Sequence, residues 1–138
     1  MADGFKILAQ AVLLDAGGAA TASASDRLIY QVPDGSASRF GSRRISQAVI
    51  SSIVVCHVHV GATSHKYTVR AVKNGTSPTF NDGQYLTYNK SIAPANTDVL
   101  SMGIGLVSGD AIYAEADAGG SAGTVSDISI TIFGTEIV

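Results

Sequence analysis

Tryptophan is absent from this 138-residue chain, cysteine occurs once, proline three times, and only 14% of the residues are charged. A single cysteine excludes an intrachain disulfide, and with it the disulfide-stapled class of small secreted domains; a lone thiol is compatible with synthesis in a reducing cytosol. The formal net charge of −2 leaves no basic excess, which argues against a surface that tracks nucleic-acid phosphates. No apolar run approaches the ~20 residues that a membrane-spanning helix needs. The charged share lies well below the ~25% usual for soluble domains. Much of the surface is therefore neutral and built from Ser, Thr, Gly and Ala, a composition that suits docking into an assembly. The start of the chain has the outline of a signal peptide, with an apolar run from Ile7 to Leu14 and A-x-A at Ala20–Ala22. Asp3 and the interruption at Gln10 count against it, and secretion is not expected.

Short segments rich in Val, Ile, Thr and Tyr, punctuated by Gly, Asn, Asp and Pro, are present throughout. This is the all-β pattern. Phe5–Leu14 reads as a strand or a short helix, Arg27–Val32 as a strand stopped by Pro33, and Gln47–Val60 as a long strand bent near Ser51–Ser52. His65–Val72 reads as the strand returning from a hairpin turn at Gly61–Ser64. Gln84–Ile92 is a further strand, Val99–Ile104 and Ala111–Ala116 are expected to pair across the Ser108–Asp110 turn, and Thr124–Phe133 closes the series with Ile128, Ile130 and Ile132 on a core face. About eight strands at this spacing predict a single-domain, two-sheet antiparallel sandwich, jelly-roll-like. Residues 1–26 form an N-terminal arm, or a first strand plus flexible loop, ahead of a sandwich domain at 27–138.

One stretch carries most of the chain's reactive side chains: "VVCHVHV", Val54–Val60. Alternation along a strand puts Val54, Cys56, Val58 and Val60 on one face and Val55, His57 and His59 on the other. Cys56 then points away from both histidines, which denies a thiol–imidazole nucleophile, and the apolar set is expected to be the core face. His57 and His59 lie about 7 Å apart on their own face, but zinc needs a third ligand. A four-residue hairpin would set His65 opposite Val60, on the wrong face. No metal, cofactor or catalytic residue is therefore expected. Glu115 and Asp117, two residues apart, read as a solvated strand edge. The spaced glycines of Met102–Gly109 lack the strand–turn–helix setting of a phosphate loop. Arg39, Arg43 and Arg44 make a small basic cluster in a Gly/Ser-rich loop.

Four stretches together resemble a known family: "LIYQVP" from Leu28, "ISSIVVCHV" from Ile50, "YLTYNKSIAPANTDVLSMGIGLVSGDAIYAEA" from Tyr85, and "FGTEIV" from Phe133. They are similar to the small β-sandwich virion structural proteins of tailed bacteriophages, of the capsid cement or decoration kind. The likeness runs from about Leu28 to Val138, with gaps at Gly35–Arg44 and Gly61–Gly83. The chain departs from the family pattern at His57, where Asn is common, and in a longer Pro33–Arg44 loop. The resemblance implies a non-enzymatic protein that clamps neighbouring coat subunits, made in the host cytoplasm and carried on the capsid surface. Its implied partner is the major capsid protein or another virion structural protein, with self-association into a dimer or trimer, and with neither nucleic acid nor membrane. Candidate interface residues are Phe5, Lys6, Arg39, Phe40, Arg43, Arg44, His57, His59, Ile137 and Val138. A tail, baseplate or neck component is the alternative, and a carbohydrate- or host-surface-binding sandwich a second one.

Overall fold

A computed structural model describes residues 5–16, 27–33, 47–59, 61, 63–74, 82–121 and 123–137. Eight strands are present among them: β1 Lys6–Leu14, β2 Arg27–Gln31, β3 Gln47–His57, β4 His65–Val72, β5 Tyr85–Ile92, β6 Thr97–Val107, β7 Ala111–Asp117 and β8 Val125–Ile137, with one short 3-10 turn at Asp82–Gln84. They form two four-stranded antiparallel sheets, ordered β1-β8-β3-β6 and β2-β7-β4-β5. The pairs β1–β8, β2–β7, β3–β6 and β4–β5 nest one inside another, so the chain runs as one long hairpin folded about the β4–β5 connection. The β8–β3 and β7–β4 pairings then roll that hairpin into two sheets. This is the jelly-roll arrangement, and it agrees with the predicted sandwich.

Inward alternation builds the core. Ile128, Ile130 and Ile132 of β8 are at most 1% exposed, as are Ile50, Ile53 and Val55 of β3 and Val69 of β4. Each such side chain contributes roughly 1.5–3 kcal/mol through removal from water. Tyr30, Tyr67, Ile112 and Ala114 close the opposite wall. Residues 6–14 are a full member of the first sheet, paired along β8. Beyond β1 the chain is tied to the β7–β8 connection: the buried Asp15 carboxylate accepts the Gly120 N–H at 2.7 Å, and the Asp15 N–H donates to the Thr124 carbonyl at 2.8 Å.

The bend near Ser51–Ser52 is a β-bulge. Pairing of β3 with both β6 and β8 slips between Ile50 and Ser52. One extra residue reverses the inside–outside phase of everything after it. Ala48 and Ile50 face inward before the bulge, and Ile53, Val55 and His57 face inward after it. The predicted face assignment for "VVCHVHV" is therefore inverted: Cys56 is half-buried on the outer face, Val58 is 64% exposed, and His57 is only 1% exposed.

Two predicted hairpins are also corrected. The segment 58–64 carries the chain from the first sheet to the second, so β4 pairs with β5 and β7 and not with β3. The Ser108–Asp110 turn likewise passes between sheets, leaving β6 on β3 and β7 between β2 and β4. Both turns link consecutive strands, but the rolled hairpin assigns those strands to different layers. Glu115 is 7% exposed, not on a solvated edge, because β7 is an interior strand whose residues 111–116 are all buried.

Candidate functional site

Among the predicted interface residues, Phe5 is exposed and stacks on Phe133 with ring centroids 6.3 Å apart. Lys6 reaches the Glu136 carboxylate at 2.7 Å. His59 is exposed and Ile137 half-buried. Arg39, Phe40, Arg43, Arg44 and Val138 lie outside the described residues. His57 is buried, 1% exposed, on the inward face of β3.

The outer face of the first sheet is uncharged over three consecutive register rows. Val12, Ser129, Cys56 and Thr97 form one row, Gln10, Thr131, Val54 and Val99 the next, and Phe133, Ser52 and Ser101 the third. Cys56 Sγ lies 3.2 Å from Thr97 Oγ1 in the first of these. Strand β6 forms the edge, eleven residues long, and its outward positions Thr97, Val99, Ser101, Gly103, Gly105 and Val107 are all exposed. A Cβ added at Gly103 or Gly105 would meet nothing within 4 Å, so backbone is bare there. Edges are usually protected by charge, proline or brevity, and β6 uses none of these on its outward face. Its inward flank borders a cleft of about 420 Å³ lined by Ala71, Val72, Ile104 and Leu106 together with Lys73 and Asp110.

Two phenols cross the sandwich. Tyr30 of the second sheet donates to Glu136 of the first at 2.9 Å, and Tyr67 donates to Asp98 at 2.8 Å. Each acceptor carboxylate also meets a lysine, Lys6 at 2.7 Å or Lys90 at 3.3 Å. Burial, and then the hydrogen bond to the carboxylate, pushes both phenol pKa values well above the ordinary 10.0. Phenols so hard to ionise act as neutral clamps and not as bases or nucleophiles.

At one end of the sandwich His57, the last residue of β3, meets His65, the first of β4, with ring centroids 4.4 Å apart. Asp127 of β8 joins them: one ligand atom from each residue lies within 4.8 Å of the others. Among the described residues, neither ring nitrogen of His57 has a hydrogen-bond partner, nor does Nδ1 of His65. An unmet buried polar atom costs about 1–3 kcal/mol. The expectation that His65 faces away from His57 is overturned, and with it the geometric reason given against a metal. The hairpin assumption hid this cluster. Asp127 carried no local signal, because its approach depends on the β3–β8 register, which sets Ile128 opposite His57.

No protein-family model, curated protein sequence or solved structure matches this chain.

Proposed function

We propose that this protein is a non-enzymatic structural protein of a tailed-phage virion, of the cement or decoration kind, which clamps neighbouring coat subunits through the β6 side of its first sheet. The observation that carries the reading is the long, glycine-bearing β6 edge, whose outward side chains are uncharged and continuous with three uncharged rows of the outer face. Interface centres are depleted of charge, and an edge that no described strand pairs offers main-chain hydrogen bonds to an added strand. The occupant is an extended segment of a neighbouring coat subunit, laid along β6 with its side chains reaching the adjoining apolar cleft. Many copies acting together would stabilise the shell by avidity. The sequence resemblance supplies the virion context. A jelly roll is compatible with that context, but it also serves lectins and other binding proteins, so the fold alone does not select it.

Quantitative mass spectrometry of purified particles tests the location: hundreds of copies fit capsid decoration, and six to a few dozen copies refute it in favour of a tail component. The variants Val99→Glu and Ser101→Lys test the surface. Both should fold normally and attach poorly, and unchanged occupancy on particles counts against β6. The sugar-binding alternative needs exposed aromatic platforms. Three of the five tyrosines are buried, and Tyr85 packs against Tyr88 at 4.6 Å and under the Arg70 guanidinium at 4.5 Å. Specific hits on a glycan array would revive it.

A further inference from the structure

We propose that His57, His65 and Asp127 are a binding site for one divalent transition-metal ion, with zinc the ion the donors suit best, and that the ion staples the two sheets at this end of the sandwich. The site is independent of the virion reading, since it is argued from donor chemistry and burial alone.

The three residues offer two imidazoles and a carboxylate, the donor set that zinc and its first-row neighbours accept. Calcium and magnesium prefer all-oxygen shells and are disfavoured by two imidazoles. Ligands bound at 2.0–2.2 Å around a tetrahedral ion lie about 3.4 Å from one another. The three ligand atoms already fall within 4.8 Å, so small side-chain rotations close the set. The two imidazole rings lie 4.4 Å apart, centroid to centroid, at a tilt of 34°.

Burial supplies the second, independent observation. His57 is 1% exposed, and both its ring nitrogens lack a partner among the described residues. Buried polar side chains are almost always paired, and a ligated ion would satisfy one of these nitrogens directly. His65 is half-buried and Asp127 exposed, so the site lies toward the rim of the sandwich, where a water molecule can serve as fourth ligand.

Position explains what the ion would do. His57 and Asp127 belong to adjacent strands of the first sheet, while His65 opens β4 of the second. The two histidines also bracket the crossover 58–64. Ligation joins the layers and closes that crossover loop, which constrains the unfolded chain as any cross-link does.

The test uses the full chain, stripped with EDTA and dialysed, then titrated with zinc chloride by calorimetry, with magnesium chloride as the control. One zinc per chain should bind, and a hundredfold excess over Kd should raise Tm by roughly 5–10 °C. Cobalt should give the visible absorption of a tetrahedral site. His65→Gln and Asp127→Asn, both at the rim and expected to fold, should each weaken zinc binding at least about tenfold. His59→Gln should leave it unchanged. Absence of stoichiometric zinc binding overturns the proposal. So does binding that survives both rim variants, or binding that His59→Gln abolishes. His57→Gln adds to the test if it folds, but the rim variants decide the matter without it.

Discussion

Val54 and Val55 are neighbours of identical chemistry on opposite faces of β3, and truncating each to alanine tests the inside–outside phase set by the bulge. Val55 is fully buried beside Ile53 and opposite Ile130, whereas Val54 is half-buried on the outer face between Val99 and Thr131. Val55→Ala removes two methyl groups from the core, about 1.6 kcal/mol of transfer free energy at ~0.8 kcal/mol per carbon. The cavity left, on the order of 50 Å³ if nothing relaxes, adds up to ~1.2 kcal/mol at ~24 cal/mol per Å³. The expected loss is therefore about 2–3 kcal/mol, or a Tm fall of roughly 6–10 °C. Val54→Ala loses only partly buried methyls with no closed cavity, so its cost should stay below about 1 kcal/mol. Urea unfolding of both variants reads the difference as a shift in midpoint at constant m. Equal losses, or a larger loss at Val54, would refute the phase assignment. Cys56→Ser belongs to the same test: on the outer face beside Thr97, it should fall within about 0.5 kcal/mol of wild type.

Gly134→Ala should be severely destabilising, because an added Cβ would run into the Val49 carbonyl, with Leu8 Cδ1 at 2.9 Å and Ile50 Cα at 3.1 Å. Gly103→Ala should leave folding intact, and thermal melts of the pair give the contrast directly. The Tyr30 and Tyr67 phenols should make stability fall in alkali. Their pKa values are raised in the folded state, so the native protein holds protons that the unfolded chain releases, and the contribution is complete below about pH 10 and lost as the pH rises through the folded values. Tm measured from pH 8 to 11 should decline less steeply in a Tyr30→Phe, Tyr67→Phe double variant; an unchanged slope would show that these phenols do not carry the effect.

The sequence by itself determined the strands. Period-2 alternation of branched residues marks Ile128, Ile130 and Ile132 as a core face, a local property of a chain that must bury one side of a pleat, although β6 and β8 run on to Val107 and Ile137, past the ends read from the sequence. It also suggested a bend near Ser51–Ser52, where the structure has a bulge, but not the change of phase the bulge brings. It also carried the "FGTEIV" ending, though not why Gly134 is needed: the reason is the close approach of β3 at its bulge. Tertiary structure alone decided which way each face points and which strands share a layer. A single inserted residue reverses the phase of the half-strand beyond it, and no local feature of "VVCHVHV" records that reversal. The rolled hairpin then sends β4 to the other sheet, so the His65 ring, set by a hairpin on the face opposite His57, comes to lie 4.4 Å from the His57 ring. Local pattern sets periodicity, and long-range pairing sets registry and layer. The uncharged outward face of β6 and the His57–His65–Asp127 cluster are both products of registry and layer.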